Sequence, residues 1–275
     1  MHSPPSNSFI SSTVLSVIGL FELGIIPNHK SGFYCNDPAL SFPFNGDTVN
    51  SATLMSTLFS MPLVFVSTCF FLFCPTFGLR GLIRPSIFRE TYIYGLIINL
   101  SIIEVMKGLV GSPRPTFFDL CEPDTGKTCN GSEFVSDFTC TSEKYSAWYQ
   151  MDAYRSFPSG HASMSVYCGF FLAWYLQRRA FNWSHRSVFL VPILQLLCIS
   201  YAATCSLTRI TDHRHHWWDV LVGTVIGLFT VCYAIVISAN FTYDYSQKSS
   251  DLKSQESQHT VRTLLYDDRR PVTVS

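Results

Sequence analysis

The chain is predicted to be an all-α, polytopic membrane protein of six transmembrane helices, on three observations. Of its 275 residues 47% are hydrophobic and only 14% are Asp, Glu, Lys or Arg, a charged share well below the roughly 25% of a soluble domain. Six apolar stretches approach the ~20 residues that cross a bilayer as a helix. The short segments between them alternate in basic character, and that bias orients the set. Nineteen Lys and Arg balance nineteen Asp and Glu, so no global basic field argues for nucleic acid as a partner.

The apolar stretches run roughly over 9–26, 52–74, 91–110, 161–177, 188–207 and 217–239, each bounded by polar or proline-rich sequence. Glu22 interrupts the first and Pro62 the second; a helix packed among neighbours tolerates either better than one facing lipid. Arg80, Arg84 and Arg89 lie between the second and third stretches, and Arg178, Arg179 and Arg186 between the fourth and fifth. Those loops are expected in the cytosol. Six spans then put both termini in the cytosol and the loops near 27–51, 111–160 and 208–216 outside or in the lumen. The chain therefore divides into a short cytosolic N-terminus (1–8), a transmembrane domain (9–239) and a Ser-, Gln- and charge-rich tail (240–275) expected to be disordered. No small-residue cleavage site follows the first apolar run, so that run is expected to stay as a signal anchor.

Two further patterns fit this topology. Asn-x-Ser/Thr occurs at Asn99, Asn130, Asn182 and Asn240, but Asn99 falls inside a span and Asn182 and Asn240 on the cytosolic side. Only Asn130 is expected to carry a glycan. Of ten cysteines, Cys35, Cys121, Cys129 and Cys140 fall in the outer loops, where the compartment permits disulfides, and the other six fall within spans. Four cysteines admit three pairings, and the residues do not choose among them.

The ionisable residues gather at one membrane face. Lys107 closes the third span, Arg114 follows in KGLVGSPRP, Ser159, Gly160 and His161 open the fourth in FPSGHAS, and Arg209 ends the fifth. His215 and Asp219 open the sixth, within TRITDHRHHWWDVL. Neighbouring spans run in opposite directions, so random scatter would have left some of these groups at cytosolic ends. A charge at the rim of a bilayer is desolvated enough to need a reason, and convergence at one depth suggests a site.

Residue types and spacing describe its chemistry. His215 and Asp219, four apart, stack on one helix face, so Asp219 can fix the imidazole tautomer and leave the other nitrogen free as base or nucleophile. Lys107, Arg114 and Arg209 supply three cations, and arginine offers a fork that fits phosphate oxygens. Amides near Ser159, Gly160 and His161 precede a helix and can face an anion. A second histidine, His161, can protonate a leaving oxygen while His215 attacks phosphorus. The set describes a phosphate-ester hydrolase with a phosphohistidine intermediate.

At these residues the chain resembles a known family. Lys107 with Arg114–Pro115, then Pro158 to His161, then Arg209, His215 and Asp219 look like the three signature motifs of the lipid phosphate phosphatases, within the type 2 phosphatidic acid phosphatase superfamily. GFYCND in the first outer loop and the six-span layout extend the resemblance over roughly 9–239. It implies metal-independent dephosphorylation, without cofactor, of phosphatidate, lysophosphatidate, sphingosine 1-phosphate or ceramide 1-phosphate at the outer or luminal leaflet. It further implies His215 as nucleophile, Asp219 as its orienting group, His161 as acid, and Lys107, Arg114, Ser159, Gly160 and Arg209 as phosphate ligands. The third motif commonly begins Ser-Arg where this chain has Thr208–Arg209, so Thr208 joins the site only weakly. The expected partners are lipid phosphates and the bilayer, with a homo-oligomer left open, and the expected residence is the plasma membrane, or else the endoplasmic reticulum or Golgi.

Other readings compete with each group. Lys107 could simply pair with Glu104, three residues earlier on the same face. The histidines could be hydrogen-bonded interfacial side chains, and Asp212, His213, His215, His216 and Asp219 could hold a metal, although the spacing supplies no obvious set of four ligands. Trp217 and Trp218 suit an interfacial aromatic belt. FPSGHAS lacks the glycine two residues before Ser159 that a nucleophile elbow needs. For function as a whole, the alternatives are a phosphatase of a soluble ester or a headgroup transferase, and a non-catalytic lipid-binding or transport protein.

Overall fold

The computed structural model describes residues 28–77, 85–179 and 187–237, together with Ser16 and Gly19. The stretch expected over 9–26, the arginines at 80 and 84, Asn182, Asn240 and both terminal segments lie outside the described residues. Among the described residues there are five long helices: α1 (Ser51–Phe77), α2 (Pro85–Val110), α5 (Gly160–Arg179), α6 (Ser187–Thr211) and α7 (Trp217–Ile237). Two short ones, α3 (Phe117–Cys121) and α4 (Ala147–Asp152), sit in the long loop between α2 and α5. Each apolar stretch from the second to the sixth is thus a helix. Segments of α2, α6 and α7 are long and apolar enough to cross a membrane, with mean hydropathies of 1.7, 2.0 and 2.5. The protein is an integral membrane protein built mainly of helices.

Local sequence sets the helix ends. Asn50 caps α1 by accepting from the Thr53 amide at 2.8 Å, and Pro85 opens α2 where its missing N–H costs nothing. Gly111 stops α2 in the left-handed region at φ 61°, a conformation that favours glycine. A Cβ there would also strike the His29 carbonyl. That close approach lets the first outer loop dock on the end of α2, with the His29 amide donating to Gly108 O at 2.9 Å.

The centre of the bundle is α5, which packs against α1, α2 and α6. Tyr167, Phe171, Leu172 and Leu176 of α5 are buried with Leu54 and Leu58 of α1, Tyr92 of α2 and Val191 of α6. Its serines, Ser163 and Ser165, are buried too, which explains why a helix that is only moderately apolar can sit inside the bundle. It turns little surface to lipid, so it needs interior partners rather than hydropathy. One of those partners is polar: Ser163 donates to Asn99 Oδ1 at 3.0 Å and Asn99 Nδ2 donates to Thr230 at 2.8 Å, tying α2, α5 and α7. Such ties contribute roughly 0.6–2 kcal/mol each between membrane helices. Asn99 is fully buried and Asn130 exposed. Gly223 and Gly227 let α7 approach α5 so closely that a Cβ would meet the carbonyls of Ser159 and Ser163. Pro62 is buried as well.

Exposed apolar side chains run along the outside: Phe189, Ile193 and Leu196 on α6, and Trp217, Leu221, Val225 and Phe229, four apart, on α7. On a soluble protein such a stripe would be a liability; on a membrane helix it is the lipid face.

The outer loops fold together into a small cap. The expectation of an all-helical chain is amended here by a two-stranded antiparallel sheet, β1 (Phe33–Tyr34) with β2 (Phe134–Val135). Disulfides join Cys35 to Cys129 and Cys121 to Cys140, which selects one of the three pairings. Phe33, Phe117 and Phe138 pack with Leu40, Leu120 and Ala153 into a second core.

Candidate active site

Under the cap, at the end of the bundle where α2 and α6 finish and α1 and α5 begin, lies a cavity of about 550 Å³. Lys107, Arg114, Gly160, His161, Arg209 and His215 line it, together with Glu104, Asp152, Arg155, Arg214 and Asp47. Leu54, Met55, Leu100 and Met164 give it an apolar side, and Trp148 and Met151 of α4 reach it from the cap. Six residues singled out in the sequence, spread over more than a hundred positions, thus share one wall.

Each is held by a specific partner. Arg114 is buried, and its Nη1 donates to His215 Nε2 at 3.1 Å and to the Arg214 carbonyl at 2.8 Å. A guanidinium has no acceptor, so His215 Nε2 accepts and the imidazole proton belongs on Nδ1. That nitrogen faces Asp219 Oδ2 at 3.7 Å, the two residues being one turn apart. Asp219 is fully buried and accepts from the Ser156 hydroxyl at 2.6 Å and the His216 amide at 2.9 Å. Its carbonyl accepts from the Ser159 amide at 3.0 Å, which fastens the start of α7 to the start of α5.

The cations arrive already paired. Lys107 bonds Glu104 at 3.0 Å, and Glu104 also meets Arg155. The competing reading of Lys107 as the partner of Glu104 is therefore realised, in a residue that lines the cavity as well. Arg209 bridges Asp47 at 3.0 Å and Asp212 at 2.9 Å. Arg214 bridges Asp47 at 3.1 Å and Asp152 at 2.7 Å. Pairing of this kind keeps buried charges tolerable before a ligand arrives. His161 Nε2, Arg209 Nε and Arg214 Nη1 are buried without a hydrogen-bond partner among the described residues, donors left over for an anion.

Two residues sit differently from expectation. The Ser159 amide is spent on Asp219, and the Ser159 side chain receives the Ala162 amide at 3.4 Å; of the three amides expected to face an anion, Gly160 and His161 are the ones whose residues line the cavity. The Thr208 hydroxyl donates to the Cys205 carbonyl within α6 at 3.0 Å. The alternative metal set is dispersed: His213 stacks on Phe42, Asp212 pairs with Arg209, and His216 stacks on Trp218. Among the described residues no group of three metal-ligating side chains is placed to hold an ion. Trp217 and Trp218 are exposed at the end of α7, as an interfacial belt requires.

The carboxylates Asp47 and Asp152 and the cations Arg155 and Arg214 were not anticipated. Their sequence signal was only positional: in a chain poor in charge, Asp152 and Arg155 just precede FPSGH, and Arg214 adjoins His215.

Burial, reinforced by Arg114, pushes the His215 imidazole down to about 3 from 6.5, so it is neutral at working pH. The sign for stability follows: the unfolded chain takes up this proton near 6.5, the folded one not until about 3, so folding loses ground as pH falls through that window. Thermal unfolding in detergent is expected to show a midpoint that falls between pH 6.5 and 5, as stability drops by up to about 1.4 kcal/mol per pH unit from this one group. His215→Gln should flatten that slope; an unchanged slope would show that other groups set it.

Comparison with known proteins bears on this geometry. Rat phospholipid phosphatase 2 is 28% identical over 255 residues, covering 88% of both chains. Mouse phospholipid phosphatase 1 is 29% identical over 244 residues, 84% of this chain and 82% of its own. A putative phosphatidate phosphatase of Drosophila melanogaster is 30% identical over 245 residues, 80% of this chain and 63% of its own. No solved structure matches. The PAP2 superfamily matches residues 91–243, more than half of the chain, from within α2 through α7 and including Lys107, Arg114, His161, Arg209 and His215, and the chain accordingly belongs to the PAP2 superfamily, as a phosphatase of the lipid phosphate phosphatase kind.

Proposed function

We propose that the protein hydrolyses phosphate monoesters of phosphatidate, lysophosphatidate, sphingosine 1-phosphate or ceramide 1-phosphate, at the outer or luminal leaflet and without a metal. The observation that carries this reading is a single cavity with two histidines and a cluster of cations at one side and Leu54, Met55, Leu100 and Met164 at another. An anionic headgroup and the start of an acyl chain fit those two characters together. Six spans with both termini cytosolic, supported by the arginines at the α5–α6 connection and by the disulfide-bonded cap at the opposite end, put the cavity outside. Exposed Asn130 is then the glycan acceptor and the plasma membrane the residence, with internal membranes of the secretory route as the alternative.

In the reaction, Arg114 keeps Asp152 and turns the Nη1 donor it placed on His215 to a phosphate oxygen, while Arg209 and Lys107 exchange carboxylate partners for the substrate. As Arg114 moves its donor from His215 Nε2 to phosphate, that nitrogen is freed beside phosphorus. Neutral His215 attacks, the P–O bond to the lipid breaks, and His161, protonated once the anionic phosphate has entered among the cations, gives its proton to the leaving alkoxide. Asp219 stabilises the imidazolium that forms. Water, deprotonated by His161, then cleaves the phosphohistidine and releases phosphate. The cations stabilise charge spread over the equatorial oxygens in both steps.

The test is phosphate release from each lipid in detergent micelles containing a chelator, beside a soluble ester such as glycerol 3-phosphate. The expected result is turnover of the lipids with kcat/KM at least tenfold above the soluble ester. Equal or better turnover of the soluble ester would overturn the lipid assignment, and loss of activity on chelation, restored by a divalent ion, would overturn the metal-free mechanism.

A further inference from the structure

Asp152 ends α4, a six-residue helix of the cap, yet its carboxylate is buried between two guanidiniums: Oδ1 accepts from Arg114 Nη2 and Oδ2 from Arg214 Nη2, both at 2.7 Å. Its own carbonyl accepts from Arg114 Nε, also at 2.7 Å. Three of the contacts that define the Arg114 fork therefore come from the Asp152–Arg155 turn, because Nη2 also reaches the Arg155 carbonyl at 3.2 Å. The remaining nitrogen, Nη1, is the one on His215 Nε2. With the other end of a planar fork fixed, the direction of Nη1 is fixed as well.

We propose that Asp152 is a positioning residue of the phosphatase site: it aims Arg114 at His215 and holds Arg214 beside it. This inference rests on the phosphatase reading above. Left alone, two buried like charges would repel and splay. A single carboxylate shared between them keeps both forks in one orientation. The Arg214 guanidinium also lies 4.8 Å from the Phe44 ring and is paired to Asp47, so the carboxylate anchors a cation that the first outer loop grips from the other side. The position of Asp152 is in turn set by the cap, where Gln150 donates to the Ser142 and Tyr145 carbonyls at 2.7 and 2.9 Å, close to the Cys121–Cys140 disulfide.

A competing role makes the opposite prediction. If Asp152 merely offset excess positive charge, removing its charge would strengthen phosphate binding and leave catalysis intact. The experiment compares full-length wild type with Asp152→Asn, Asp152→Glu and the double variant Asp152→Asn/Arg214→Met, which removes the second cation together with the charge it needs. Two readouts are taken in detergent: kcat and KM on a lipid phosphate, and the rise of the unfolding midpoint with inorganic phosphate, which requires no turnover.

Positioning predicts kcat roughly 10- to 100-fold lower in Asp152→Asn, with phosphate stabilising it less than wild type. It also predicts partial recovery of kcat in Asp152→Glu, and a folded but slow double variant. The idea is overturned if Asp152→Asn keeps kcat within twofold, if it binds phosphate more tightly at unchanged kcat, or if the double variant regains both midpoint and kcat. A wild type that fails to release phosphate from any ester but is stabilised by phosphate, less so in Asp152→Asn, would sink the proposed reaction and leave the placement of Arg114 standing.

Discussion

His215→Ala is expected to lower lipid phosphate hydrolysis by roughly 10³-fold or more, the scale seen when a covalent nucleophile is lost. The fold should survive, since Arg114 keeps the Arg214 carbonyl and Asp152 as acceptors when the imidazole goes. Two measurements separate loss of a nucleophile from loss of a binding contact. Rapid acid-free quenching of wild type with labelled substrate should trap a phosphoenzyme that is stable in alkali and labile in acid, as a P–N bond is, and His215→Ala should trap none. His161→Ala should behave differently, because its role is proton donation to the leaving oxygen. It is expected to slow formation of the phosphoenzyme from a lipid by about 10²–10⁴-fold while leaving the burst of p-nitrophenolate from p-nitrophenyl phosphate almost unchanged in rate, because that leaving group needs no proton. Turnover after the burst should still slow, because His161 also serves as base for the attacking water. Equal slowing of the first step with both substrates would remove His161 as the acid, and a labelled phosphoenzyme in His215→Ala would move the nucleophile elsewhere.

The second large effect concerns Arg209, whose side chain is only 1% exposed and bridges Asp47 and Asp212. Asp212 also accepts from the Thr48 amide at 2.8 Å and hydroxyl at 2.7 Å, so one guanidinium and one carboxylate fasten the first outer loop to the end of α6. Arg209→Met should fail twice. It strips a phosphate ligand, worth roughly 10²–10³ in kcat for a single donor. It also leaves carboxylates short of a partner, at a cost of up to about 3–5 kcal/mol for a buried pair broken on one side. Adding Asp212→Asn removes one of those carboxylate charges. The double variant is expected to recover much of the unfolding midpoint and none of the activity. Activity that returned together with stability would make Arg209 a structural residue alone.

What the sequence disclosed and what it withheld divide along physical lines. Apolar runs located α1, α2, α5, α6 and α7, because burial and lipid contact write themselves into composition over some twenty residues; the short α3 and α4 of the cap left no such trace. Even α5, with serines at its core, was legible through its polar flanks. Lys107, Arg114, His161, Arg209 and His215 were legible because they stand at helix ends whose common face follows from counting spans. Asp152, Arg214 and Asp47 were not, since they come from connections with no periodicity. Their places depend on a disulfide pairing and an aromatic cluster that a linear reading leaves open. Ser159 shows the converse: its residue type suited an anion, but the Asp219 carbonyl claimed its amide, a contact between α5 and α7 that only close packing at Gly223 creates.

The cap has a further consequence, for how the protein matures. Cys35–Cys129 joins the first outer loop to the second, and Cys121–Cys140 braces the segment that leads to α4, so the carboxylates that organise the arginines stand on an oxidised scaffold. A newly made chain acquires that scaffold only on the side of the membrane where thiols are oxidised. A molecule threaded in the reverse sense would present the same histidines to a reducing compartment, with its cap unstapled. Under the proposed topology, competence for catalysis is tied to correct insertion, and four sulfur atoms would proofread it.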